Sequence, residues 1–258
     1  MKSPNWNSPL FTKPFTLNAL KAIRGALLES STSTELSWAS QDRKRSAAVL
    51  IPFCNVREAP GILLQIRSRS LRSHSGEISC PGGKVDDADL SFADTAMRET
   101  TEELGISRDR IELLGSIGPP EKSLRGDAVW PLVGFIHGNT NRTNFAGNDL
   151  LPSIDLSMIR RSLSTDEVAA IFHLPLAELA NPSRHRAYLF RNRRPYWAVE
   201  VSDLVPTVHG EIPFTSESIE EPQEDAVEAG REGSLEVWGL TGWYLSLLSS
   251  SLSSLHAT

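Results

Sequence analysis

The sequence predicts an α/β fold, and three observations predict it. Short apolar runs of β-type residues recur at 47–53, 62–66, 111–117 and 129–136, each bounded by turn-forming residues. Between the second and third lies a Pro-Gly-Gly turn that feeds a helix-period segment, residues 81–106, PGGKVDDADLSFADTAMRETTEELGI. An amphipathic run at 17–28 and an apolar one at 235–248, the latter with Trp238, Leu245 and Leu248, predict helices near the two ends.

Residues 1–46 divide into a Pro/Asn/Ser-rich lead, the amphipathic run and a Ser/Thr-rich linker. Leu17, Leu20, Leu27 and Leu28 fall near helical spacing, and Lys2, Lys13, Lys21 and Arg24 precede the first acid, Glu29. The segment reads as a mitochondrial transit peptide or as an ordinary N-terminal helix packed on the domain, of which we favour the second. The runs 47–53 and 62–66 read as paired strands about a turn region at 58–61. Arg67, Arg69, Arg72 and His74 follow, with no acid until Glu77. Such a cluster serves solubility or clamps phosphate, which guanidinium groups grip in bidentate fashion; leading into a Gly-Gly turn, the clamp is the preferred reading.

Gly82 and Gly83 supply a turn through which backbone can approach a ligand closely. Asp94-Thr95 offers a cap, and Ala96, Met97 and Leu104 can face a core. Glu99, Glu102 and Glu103 then stand at i, i+3 and i+4 on one helix face. Like charges at these spacings cost a helix roughly 0.2–0.5 kcal/mol per pair, and Arg98 offsets one of them through Glu102. A solvated acidic surface is the plain reading. Seven acids and one base between Asp86 and Glu103 favour instead a site for a hard divalent ion, Mg²⁺ or Mn²⁺.

After the helix, the strands at 111–117 and 129–136 flank a Pro119-Pro120 break, with Gly126-Asp127 in the connecting loop, and residues 138–151 form a polar loop or insertion. Residues 163–179 open on a Ser-Thr-Asp cap signal, pass through a short apolar run and end in a Pro-started helical turn. Glu167 lies there as a first-turn acid favoured by the helix dipole, and His173, among apolar neighbours, reads as packed rather than ligating. Residues 184–194 are Arg-rich with Tyr188 and Phe190 interleaved: an exposed β-hairpin in the simpler reading, a grip on an adenine and its phosphates in the other. Residues 196–199 read as a strand, 217–232 as a flexible acidic loop, and the Ser-rich tail as frayed.

With 258 residues and 40% hydrophobic composition the chain can bury a core, and a single domain is favoured. A net charge of −6 argues against a nucleic-acid scaffold. Cys54 and Cys80 suggest neither a disulfide framework nor a thiolate zinc site, and no run reaches the ~18 apolar residues of a membrane helix.

The run Arg98-Glu99-Thr100-Thr101-Glu102-Glu103-Leu104-Gly105-Ile106, preceded by Gly82-Gly83, resembles the Nudix box, the signature of hydrolases acting on nucleoside diphosphates linked to another group. Thr100 stands where that pattern has an aliphatic residue, and Asp89 represents its upstream Glu, one residue further from Arg98. Upstream, Leu63-Leu64-Gln65-Ile66-Arg67-Ser68, Arg72, Gly76 and Pro81-Gly82-Gly83 resemble the additional motif of the coenzyme A diphosphatase branch, with Cys80 in place of its Phe. The two motifs span about residues 63–106; weaker similarity runs from residue 47 to about 179 and again near Trp238.

The resemblance implies an α/β/α sandwich with a mixed sheet, its core at 47–205, followed by an acidic loop at 206–234 and a C-terminal helix and tail at 235–258. It implies Glu99, Glu102 and Glu103 as ligands of Mg²⁺ or Mn²⁺, Glu167 near the site as a possible water-activating base, and Arg98 with Asp89 orienting the helix acids. Arg67, Arg69, Arg72, Gly82 and Gly83 would hold the substrate, coenzyme A or an acyl or oxidised form, split to 3′,5′-ADP and 4′-phosphopantetheine or its derivative. Two alternatives stay open: a nucleotide-sanitising enzyme for oxidised deoxynucleoside triphosphates, and a catalytically silent binding module. The expected partner is this small molecule, with no nucleic acid and no membrane. Enzymes of the fungal type it resembles are peroxisomal, but the chain ends His256-Ala257-Thr258, unlike a Ser-Lys-Leu address, so mitochondrion and cytosol remain alternatives.

Overall fold

Through the middle of the computed structural model, which describes residues 12–30, 42–71, 73–139, 145–191, 193–206, 234–252 and 255, runs one long strand that both helical layers cover. In chain order the elements are α1 (Leu17–Ser30), β1 (Ser46–Val56), β2 (Ala59–Arg67), β3 (Ile78–Ser79), β4 (Gly82–Lys84), α2 (Phe92–Leu104), β5 (Ile111–Ser116), β6 (Glu121–Lys122), β7 (Ala128–Ile136), α3 (Leu156–Arg161), β8 (Val168–Pro175), α4 (Leu176–Leu179), β9 (His185–Phe190), β10 (Arg194–Glu200), β11 (Glu236–Val237) and α5 (Gly239–Leu252). The central strand is β1. It pairs in parallel with β7 and antiparallel with β2 and β4, which explains its unbroken apolar sequence: a strand covered on both faces has no solvent side to alternate with.

The mixed sheet follows the order β3-β2-β1-β7-β5, with β8 on β2, β6 on β7 and β4 on β1. One face carries α1 and α5, whose Leu20, Ile23, Leu27, Leu245 and Leu248 pack with Phe53 and Phe135. The other carries α2 and α3, whose Ala96, Leu104 and Ile159 pack with Leu50, Leu63 and Ile136. This is the sandwich expected from the resemblance. The N-terminal run is a packed helix with Leu20, Ile23 and Leu27 in the core and Leu28 exposed, pinned by the buried Asn55, which accepts from Phe15 N at 2.8 Å and donates to Leu151 O at 2.8 Å. Among the described residues no helix is long and apolar enough to cross a membrane.

Three local expectations are corrected. The turn between β1 and β2 is Arg57-Glu58, both at positive φ (49° and 64°), rather than 58–61, because Ala59, Pro60 and Gly61 pair with Val56, Asn55 and Cys54. No helix follows the Ser-Thr-Asp signal: residues 165–167 form a turn, and Val168 onward pairs with β2, since the long edge of β2 rewards ladder bonds over a short helix. The closing helix starts at Gly239, not Leu235, because Glu236 and Val237 pair with Glu200 and Val199 and complete a second, three-stranded sheet, β11-β10-β9. The acidic run 217–232, Arg72, Asn141, Asn144, the first eleven residues and His256-Ala257-Thr258 lie outside the described residues.

Candidate active site

Helix α2 begins one turn earlier than Asp94-Thr95 suggests. Ser91 is the cap, its Oγ accepting from Asp94 N at 3.0 Å, while the Asp94 carboxylate accepts from Leu90 N at 3.1 Å, one residue before the N–H a capping box would use. Thr100, unusual for its slot, is fully buried and donates to Ala96 O at 2.7 Å, so its hydroxyl leaves no orphan donor.

Arg98 gathers the acids. Its guanidinium meets Asp89 Oδ1 at 3.0 Å and Oδ2 at 3.1 Å, Lys84 O at 2.9 Å, Glu99 Oε1 at 3.0 Å and Glu102 Oε2 at 2.9 Å. Sequence spacing assigned it Glu102 alone. Asp89 and Glu99 are added because the loop after β4 folds back over the helix, which no i, i+4 rule can see. Asp89 also accepts from Asp86 N and the Thr95 hydroxyl.

Burial works against ionisation of Asp89, but Arg98, the Asp86 N–H and the Thr95 hydroxyl outweigh it and hold the carboxyl below its ordinary value. A folded-state value below the unfolded one stabilises the fold above the unfolded pKa of about 4, and that contribution is lost as pH falls through the folded value. Asp89→Asn should therefore lower stability at neutral pH by about 1–3 kcal/mol, a difference that shrinks below about pH 4. Urea melts of both proteins at the two pH values check this; equal stability at neutral pH would contradict it.

Below Arg98 the Gly-Gly pair meets the helix, not as the expected turn but as the start of β4, where Gly82 and Gly83 pair with Val49 and Ala48 of β1. Gly82 sits at φ +152°, and a Cβ there would lie 2.3 Å from Ala48 O; at Gly83 a Cβ would lie 2.5 Å from the Glu99 carboxylate. Only glycines let this backbone touch β1 on one side and Glu99 on the other. Gly82 N donates to Glu103 Oε2 at 2.9 Å. Burial pushes the Glu103 carboxyl up to about 7, against the Gly82 N–H, the Gln65 amide and Arg67. Gln65 lies close enough to act on Glu103, yet neither of its polar atoms makes a hydrogen bond of normal geometry. Burial also raises Glu99, against Arg98, and the charges of Glu102 and Glu167 push the same way.

The structure thus brings Glu167 into electrostatic reach of Glu99, in an exposed turn whose carbonyl accepts from Ser68 N at 2.8 Å. Its expected alternative, a helix-start acid, is removed by the absence of that helix. The three helix glutamates divide: Glu103 faces inward onto Gly82, Glu99 is mostly covered, and Glu102 is half exposed on Arg98. Among the described residues no three His, Cys, Asp or Glu side chains stand gathered around one point, because Arg98 and the Gly82 N–H hold these carboxylates instead. The donors nonetheless suit a hard divalent ion: all are carboxylate oxygens, two are held above their ordinary pKa by burial, and the glycine cradle leaves Glu99 room.

Beside β4 opens a cavity of about 610 Å³, lined by Gly82, Gly83, Arg67 and His74 on one side and by the β9–β10 hairpin, the 122–124 turn and the start of α5 on the other. Arg67 also reaches Glu103, 3.8 Å from Nη1 to Oε1. His74 Nδ1 lies 2.9 Å from Glu77 Oε2, which raises its pKa. The expected three-arginine clamp is not assembled. Arg69 is exposed and absent from the lining, because β2 ends at Arg67 and the chain turns away, and Arg72 lies outside the described residues. The hairpin read as exposed does form, but Tyr188 and Phe190 line the cavity, joined by Tyr196, Trp238 and Tyr244. Sequence reasoning missed Leu124, Trp238 and Tyr244 as lining residues; nothing local marks them, since the sheet alone brings them beside Gly82. His173 is packed, as expected: its Nε2 lies against Gly61, and burial pulls its pKa down to about 4.

The family model described as "NUDIX domain" matches residues 44–191. The "Uncharacterized Nudix hydrolase NudL" of Cronobacter sakazakii is 35% identical over 179 residues, 69% of this chain and 77% of that protein. Its namesake from Escherichia coli O7:K1 is 40% identical over 141 residues, 55% of this chain and 62% of that one, so the chain spans less than two thirds of that relative's length. Among solved structures, the NUDIX domain of Shewanella oneidensis NrtR complexed with ADP ribose is 20% identical, covering 57% of this chain and 86% of that one with a TM-score of 0.33; so loose a superposition adds nothing to the family match.

Proposed function

We propose, for a chain that belongs to the Nudix family of hydrolases acting on diphosphate-containing substrates, that the substrate is coenzyme A or one of its acyl or oxidised derivatives. The observation that carries this is convergence. Arg67 and His74, from the segment upstream of the box, line the same cavity as Gly82 and Gly83, which back onto Glu103 and Glu99. A diphosphate laid against the glycines would have the helix acids on one side. A further phosphate, as on the 3′ position of coenzyme A, would find Arg67 and His74.

In this reading water attacks a diphosphate phosphorus, the bridging P–O bond breaks, and 3′,5′-ADP and the phosphopantetheine half leave. Glu99, Glu102 and Glu103 would hold Mg²⁺ or Mn²⁺, which when bound supplies charge neutralisation at the diphosphate and acidifies the attacking water. Glu167, outside that set, accepts the water's proton. Arg98 keeps Glu99 and Glu102 aligned and Asp89 holds Arg98.

If Arg67 grips the 3′-phosphate, 3′-dephospho-CoA is the poorer substrate and Arg67→Ala narrows the gap. A charge-assisted phosphate contact contributes roughly 1.5–3 kcal/mol, about 10- to 150-fold in kcat/KM. Equal efficiencies for the two substrates in the unaltered protein would remove this role. A panel of CoA, acyl-CoAs, ADP-ribose, NADH and 8-oxo-dGTP with Mg²⁺ tests the substrate class, and turnover of 8-oxo-dGTP alone would favour the sanitising alternative.

A further inference from the structure

Gln65 interrupts the apolar run of β2 and is fully buried. Side chains alternate along a strand: Ile62, Leu64 and Ile66 enter the core on the α1 and α5 side, Leu63 enters the core beneath α2, and Gln65 shares the face of Leu63. Across the ladder Gln65 pairs with Ser79 of β3, and directly opposed residues project to one face. Glu103, itself 3% exposed, stands over this spot on α2. Arg67 Nη1 reaches its Oε1 at 3.8 Å, and the Gln65 amide lies close enough to act on the carboxyl.

The polar atoms beneath Glu103 are left over. Neither Gln65 Oε1 nor Gln65 Nε2 nor the Ser79 hydroxyl makes a hydrogen bond of normal geometry, though each atom is buried. A buried amide in that condition destabilises a fold, and Leu63, two residues earlier, shows what packing beneath the helix favours. Packing alone therefore does not account for an amide at this position.

The chemistry of the neighbours sets its polarity. An ionised carboxylate only accepts, so the amide must turn its N–H groups to Glu103, which leaves its carbonyl oxygen for the Ser79 hydroxyl to donate to. The last torsion of a glutamine is broad, and the amide can turn to both partners without leaving a rotamer well. Glu103 Oε2 already accepts from Gly82 N at 2.9 Å, so a donor from β2 braces the carboxylate from a second side.

We propose that Gln65 is a positioning residue for Glu103: a chain of hydrogen bonds from the Ser79 hydroxyl through the Gln65 amide holds the Glu103 carboxylate in the orientation that takes the divalent ion. This rests on the reading of Glu103 as a metal ligand.

The test is calorimetric titration of Mg²⁺ into the full chain, unaltered and as Gln65→Met, Ser79→Ala, the double variant and Glu103→Gln, with thermal melts of each. Methionine keeps the length of glutamine and removes the leftover polar atoms, so Gln65→Met should melt no lower than the unaltered protein. Its dissociation constant for Mg²⁺ should nevertheless rise about 10- to 100-fold, the span for losing a group that orients a metal ligand. Ser79→Ala should weaken binding less, and the double variant no more than Gln65→Met, because Ser79 acts only through the amide. A Gln65→Met protein with unchanged Mg²⁺ affinity, beside a Glu103→Gln protein that has lost it, would overturn the proposal and leave the ligand reading standing. Unchanged affinity in Glu103→Gln would overturn both. Should Gln65→Met fail to fold, Ser79→Ala decides, and unchanged Mg²⁺ affinity there would overturn the chain.

Discussion

Glutamine in place of Glu103 should abolish Mg²⁺-dependent hydrolysis while the fold stands or gains stability. The Glu103 side chain is 4% exposed, and its carboxyl is pushed up to about 7 by that burial. A neutral amide of the same shape escapes the cost of burying charge, and its oxygen can still accept the Gly82 N–H. What it cannot supply is an anionic ligand. Activity should fall by more than about 10²-fold, the upper range for disturbing even an outer partner of a metal site, and Mg²⁺ affinity should fall with it. Glu102→Gln should act likewise on activity with little effect on folding, since Glu102 is half exposed on Arg98. Calorimetric Mg²⁺ titration and thermal melts read both effects. Near-normal turnover with metal binding unchanged in either variant would refute the ligand assignment.

Glu167→Gln should lower kcat by about 10²- to 10⁴-fold, the span expected for loss of a general base, with KM and metal affinity nearly unchanged. A carboxylate committed to a metal is a poor proton acceptor, so a neighbour outside the ligand set is the better base. Position supports Glu167. Ser164 N donates to Glu103 O at 3.0 Å and Glu167 N to Ser164 O at 2.9 Å, which ties the 164–167 turn to the end of α2, and the Glu167 charge acts on Glu99. Glu99→Gln should instead weaken metal binding. The discriminating measurement is kcat against pH from about 6 to 9, where an intact profile in Glu167→Gln would return the base role to Glu99 or to the metal-activated water.

What the sequence made legible follows how local each signal is. The strands 47–53 and 129–136 were readable because burial on both faces leaves a continuous apolar run, 111–117 because apolar residues recur along it although Leu113 is exposed at the sheet edge, and α2 because its acids and apolar residues repeat with helical period. Gly82 and Gly83 were readable as a place of close backbone approach but not as strand β4, which replaces the expected turn because they pair with Val49 and Ala48 and lie against Ala48 O and the Glu99 carboxylate. The helix expected from residue 164 failed because a cap signal is weak beside the free edge of β2. Arg69 was assigned with Arg67 by adjacency, yet the strand ends between them. The cavity's far wall was least legible. Leu124, Tyr196, Trp238 and Tyr244 meet only because β10 takes β11 as a partner and α5 packs beneath, and no spacing along the chain encodes that.

The central claim is hydrolysis of coenzyme A at its diphosphate, and mass-spectrometric identification of the products tests it most directly. Incubated with CoA and Mg²⁺ in ¹⁸O-labelled water, the protein should release 3′,5′-ADP and 4′-phosphopantetheine, with the label in one phosphate product. Intact CoA after prolonged incubation, under conditions where the same preparation cleaves ADP-ribose or 8-oxo-dGTP, would contradict it.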